Sequence, residues 1–175
     1  MRDAGAPVAR LERDEEAWTP AGHGASAADG GPGAQAAARS KRLALEAASV
    51  HQARLFVAAT LMDWGLWHLA ERALACTSEL ATNAVAHRAA QGPDVFELVV
   101  ALVGDTVVVE VRDGSGQLPR PRRRPSALEE SGRGLQIVEA LCDQLRWRRT
   151  PSGKAVWFTL AIGAGGAGGA LPLTA

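Results

Sequence analysis

The stretch VFELVVALVGDTVVVEVRD, residues 95–113, constrains this chain more than any other. Two valine-rich runs, Phe96 to Val103 and Thr106 to Val111, are separated only by Gly104-Asp105. β-Branched side chains on both sides of so short a glycine-containing turn specify an antiparallel hairpin. A lone hairpin cannot bury its apolar face in water, so the rest of the chain must cover it. With 175 residues, 47% of them hydrophobic, there is enough chain for one core and too little for two.

The cover is helical. Val50, Ala53, Val57, Leu61 and Trp64 recur at helical spacing, with Ser49 as the expected N-cap and Gly65 as the stop. A second helix is expected from about Leu69 to Arg88, and a short strand, Lys41 to Ala48, precedes both. Beyond Asp113 comes a loop rich in Gly, Pro and Arg, then a helix from about Gly134 to Asp143. A second hairpin pairs Leu145 to Arg149 with Ala155 to Ile162 across Pro151-Ser152-Gly153. The expected fold class is α+β, a two-layer α/β sandwich in which a mixed, mainly antiparallel sheet carries helices on one face.

The ends read differently. Of the first 40 residues 18 are Ala or Gly, too little apolar surface to offset the entropy of ordering. Residues 1–40 are therefore expected to be a disordered arm, 41–162 the single domain, and 163–175 a flexible tail. Balanced charge, 19 basic against 19 acidic residues, argues against nucleic acid or an anionic membrane as partner. No apolar run approaches the ~20 residues of a membrane span and no signal peptide is evident, so the cytoplasm is the expected location. Cys76 and Cys142 lack metal-ligand spacing and are expected as buried, reduced thiols. Trp64, Trp67, Trp147 and Trp157 are expected in the core.

Three polar clusters interrupt this pattern. In SELATNAVAH, Glu79 and Asn83 lie four apart on one helix face, followed a turn later by His87. Asp113 to Gly116 follow the alternating Val107, Val109 and Val111, where a strand ends. SGRGL, Ser131 to Leu135, sets two glycines at a helix start, where free N–H groups and the helix dipole favour an anion. Taken singly, each has a plain alternative: a solvated helix stripe, a turn, a shaped loop. No Walker A sequence, GxxxxGK[ST], and no protein-kinase loop motif is present.

In order, ELATNAVAH, VRDGSG and SGRGLQIV resemble the N, G1 and G2 boxes of the GHKL ATP-binding superfamily, with its histidine-kinase-like ATPase domain. Within it they resemble most the bacterial anti-sigma factor serine/threonine kinases and their small relatives. The likeness covers about Leu43 to Leu160. It implies ATP and Mg²⁺ as cofactors. Asn83 would be the metal ligand and Glu79 the catalytic base that takes a proton from the attacking hydroxyl. Asp113 would accept from the adenine amino group, and Gly132 and Gly134 would bring backbone N–H groups to the phosphates. Gly116, Arg133 and Leu135 would complete the ATP site. His87 is open between a phosphate contact and a solvated helix end.

Two departures stand out. Where relatives carry DxGxG, this chain has Asp113-Gly114-Ser115-Gly116-Gln117, and Ala155 is expected where relatives often carry an adenine-supporting threonine. The lid, Gly114 to Ser131, threads Arg120, Arg122, Arg123 and Arg124 among prolines; it is read equally as a phosphate-seeking loop and as a solvated basic one. By resemblance the partners are a sigma factor and an anti-sigma-factor antagonist, and a homodimer is allowed. The alternatives are an ATP-gated binding module without phosphoryl transfer, and a structural domain with no ligand.

Overall fold

The structure, a computed structural model, describes residues 37–89, 94–119 and 134–163. Residues 1–36 of the expected N-terminal arm, nearly all of the C-terminal tail, the arginines of the lid, Gly132 and Arg133 lie outside these residues, whereas residues 37–40, expected as the end of that arm, are strand.

Among the described residues five strands form one sheet in the order β1-β2-β3-β5-β4: β1 Ala37–Ala44, β2 Val95–Val103, β3 Thr106–Asp113, β4 Gln144–Thr150 and β5 Gly153–Ala161. Every pairing among them is antiparallel. The α-helices of the described residues, α1 Ala47–Asp63, α2 Ala70–Ala86 and α3 Gly134–Leu141, pack against this sheet, giving the α+β, two-layer sandwich. Strand alternation makes the layers: Phe96, Leu98, Val100, Val107, Val109, Val111, Val156, Phe158 and Leu160 face the helices. There they meet Ala53, Val57 and Leu61 of α1 and Ala73, Cys76, Leu80, Ala81 and Ala84 of α2 in one core.

Both hairpins form about their expected turns, whereas the first elements shift. β1 starts at Ala37, four residues before the expected Lys41, because pairing with the strong β2 extends it through Ala37↔Leu102. Ser49 is not the N-cap. The helix begins at Ala47 after an extended Glu46, and Ser49 is buried in its first turn. Gly65 does end α1, where Leu66 N–H donates to Leu61 O at 2.8 Å, the six-to-one bond of a Schellman closure. Trp67 is no core residue: it stands on a short 3-10 turn, Trp67–Leu69, and is 73% exposed.

On the sheet face turned away from the helices, Glu110 is fully buried and takes two hydrogen bonds from Arg112, at 3.0 Å each, with Arg148 at 3.5 Å. These contacts hold the Arg112 guanidinium even above its already high proton affinity. A buried carboxylate is tolerable only when paired in this way.

Arg72 of α2 sets the position of α3. Its Nε donates to Leu141 O, the last residue of α3, at 2.6 Å, and its Nη2 to Asp143 Oδ1 at 3.1 Å. Asp143 in turn accepts from the Ala161 backbone N–H at 2.5 Å, which, with Arg72, lowers its carboxyl pKa. Cys76 is buried and Cys142 half-buried; both are free thiols. No helix among the described residues is long and apolar enough to cross a membrane.

Candidate functional site

Two constellations gather the polar residues. The first joins α2 to α3. Glu79 and Asn83 are half-buried, one turn apart on α2. Gly134, the first residue of α3, comes up against Glu79 so closely that a Cβ there would overlap its carboxylate. The acid therefore sits at a helix N-terminus, where the dipole favours negative charge. Asn83 makes no side-chain hydrogen bond among the described residues. Among the described residues its amide has no side-chain partner that a ligand would have to displace. His87 is the exposed C-terminal cap of α2, its backbone N–H donating to Asn83 O at 3.0 Å. Leu135 packs against the core.

The second constellation closes one end of the sheet. Asp113, Lys154 and Arg149 stand in register across β3, β5 and β4, and by alternation from Val111 and Val156 they project to the helix-facing side. Asp113 and Lys154 form a buried ion pair, Nζ to Oδ1 at 3.0 Å. The same Oδ1 accepts from Ser115 N–H at 2.8 Å. Gln117 N–H donates to Ser115 Oγ at 3.2 Å, and Arg149 Nη1 to Gly116 O at 3.0 Å. Ser115 and Gln117, which stand in the places of the two glycines, thus pull the loop's amides into the loop itself. Gly116 is exposed, and a Cβ there would meet only the Arg149 side chain at 3.9 Å, so no close approach demands glycine.

Gly153 locks the two strands together at this point. Its φ of 148° is one that residues with a side chain rarely adopt, and a Cβ would run into the Asp113 carbonyl oxygen. One expectation fails here. Ala155 pairs with Arg112 and shares its outward face, so no side chain at position 155 could support a base beside Asp113. The β5 residue that faces Asp113 is Lys154. Sequence reasoning missed it because a lysine next to a turn reads as solvated; its place two residues before the core residue Val156 was the available signal.

Among the described residues no three His, Cys, Asp or Glu side chains converge to hold a metal by themselves. A hard cation here would be held by one or two protein oxygens with phosphate and water completing the shell, the usual situation for Mg²⁺. The amide oxygen of Asn83, which has no partner among the described residues, lies one helical turn from the Glu79 carboxylate and fits that demand.

No curated protein matches the chain. The family model of the histidine kinase-like ATPase domain matches residues 43–160, which run from the end of β1 into β5 and include both constellations, and the chain belongs to that family.

Proposed function

We propose that this chain is an ATP-binding regulatory protein acting as a serine/threonine protein kinase, which phosphorylates an anti-sigma-factor antagonist and binds a sigma factor. The observation that carries the reading is the approach of Glu79 to Gly134, one helical turn from the unengaged Asn83. A base, a hard metal ligand and the N-terminus of a helix meet there. Phosphoryl transfer asks mainly for positioning and charge neutralisation, so these three are a sufficient set.

In this account Glu79 accepts the proton of the substrate hydroxyl, Asn83 holds Mg²⁺ through its amide oxygen, and the N–H groups at the start of α3 receive phosphate oxygens. Bound Mg²⁺ would neutralise charge on the phosphates. Asp113 accepts from the exocyclic amino group of the base.

A second reading, an ATP-gated binding module without transfer, is favoured by the inward hydrogen bonds of Ser115 and Gln117, which leave fewer loop amides for nucleotide. Glu79→Gln separates the two. The kinase reading expects ATP binding to persist while phosphate transfer to the antagonist falls by roughly 10² to 10⁴. Tight ATP binding by the wild type with no transfer to any antagonist would select the gated module instead.

A further inference from the structure

The ion pair with Asp113 uses only part of what Lys154 can offer. A lysine ammonium is seldom buried, and removing it from water is unfavourable unless its donors are used. Yet Lys154 is 4% exposed and makes one hydrogen bond among the described residues, to Asp113 Oδ1. An ammonium carries three donors; two have no partner among the described residues. Asp113 is incomplete in the same way. Its Oδ1 takes both Lys154 Nζ and Ser115 N–H, and its Oδ2 takes no hydrogen bond among the described residues. Among the described residues an acceptor and a charged donor without further partners therefore stand side by side, on strands whose relative position is fixed by the Gly153 contact.

We infer that Lys154 is a specificity-determining residue that donates to N1 of an adenine base while Asp113 Oδ2 accepts from its 6-amino group. The inference rests on the nucleotide reading above and adds to it the residue that reads the second atom of the base edge. Adenine offers one donor beside one acceptor, which matches what the pair has left. Guanine reverses both atoms: its O6 would face the carboxylate oxygen and its N1–H the ammonium, acceptor against acceptor and donor against donor. The direct contact also makes a hydroxyl at position 155 unnecessary, consistent with the outward direction of Ala155.

The test is a cycle between residue and ligand. Calorimetric affinities are measured for ATP and for 1-deaza-ATP, in which N1 is a C–H, on the wild type and on Lys154→Met. The wild type is expected to bind the analogue about 10- to 100-fold more weakly, the size of a lost hydrogen bond to a charged donor, and to bind GTP more weakly than ATP. Lys154→Met should bind ATP and the analogue alike. If the substitution prevents folding by stranding Asp113, the Asp113→Asn/Lys154→Met pair removes both charges and should show the same indifference to N1. An equal loss in wild type and variant would overturn the inference and make Lys154 a structural counter-ion, as would a wild type indifferent to N1. A wild type that binds neither nucleotide would instead refute the nucleotide reading itself, and this inference with it.

Discussion

Gly134, at the start of α3, stands so close to Glu79 of α2 that any side chain there would displace the carboxylate. The atoms in the way, Oε2 and Cδ, belong to the end of a flexible side chain, so Gly134→Ala can be accommodated by swinging Glu79 aside. Stability should change by about 1 kcal/mol or less. Phosphate transfer should fall well beyond that, because a base moved by an ångström loses its alignment. Thermal melts and transfer assays on the same preparation check this; full transfer in the folded variant would remove Glu79 from the chemistry.

Arg72 ties the far end of α3 to α2 through Leu141 O and Asp143. Its ion pair with Asp143 is largely exposed and contributes little, so most of the effect of Arg72→Met comes from the lost bond to the helix carbonyl, about 1 kcal/mol. ATP affinity should weaken as well, since the other end of the same helix carries Gly134. A variant with unchanged stability and unchanged ATP affinity would show that α3 is held elsewhere.

The thiols predict an alkaline limit. Burial pushes Cys76 from 9.0 up to about 12, with Cys142 close by adding to it, and Cys142 up to about 11 by burial and then by Asp143. The folded state holds both protons more tightly than the unfolded chain does. This contribution is intact below pH 9 and is lost as the pH rises through about 11 and then about 12. Denaturant midpoints should therefore fall more steeply between pH 9 and 11 in the wild type than in Cys76→Ala/Cys142→Ala. Parallel curves would contradict the assignment.

How much of this could be read from the chain depends on where the information is local. The valine-rich hairpin, the turn at Pro151 to Gly153 and the stop at Gly65 are set by neighbours in sequence, and each forms as expected. β1 and the N-cap of α1 depend on pairing with β2, which no local signal reports, and there the boundaries moved. At the site, Glu79 and Asn83 were legible because helical spacing alone puts them on one face. Gly134 was expected against phosphate, and only the packing of α3 on α2 shows that Glu79 occupies its flank. Lys154 was invisible for a related reason. The resemblance points to its neighbour Ala155, and a shift of one residue along a strand exchanges the two faces of the sheet. Which face each residue takes is a matter of register, fixed by Asp113↔Lys154 across strands 41 positions apart.

The central claim, that Asn83 holds a metal-bound nucleotide over α2, is tested most directly by calorimetric titration of ATP into the wild type and Asn83→Ala, each with Mg²⁺ and with a chelator. Asn83 makes no side-chain hydrogen bond among the described residues, so alanine should leave the fold intact and, if anything, favour the helix. The account predicts that the wild type binds ATP more tightly with Mg²⁺ than without, and that Asn83→Ala loses this difference while keeping the chelator-state affinity. A folded Asn83→Ala that retains the full Mg²⁺ enhancement would contradict it.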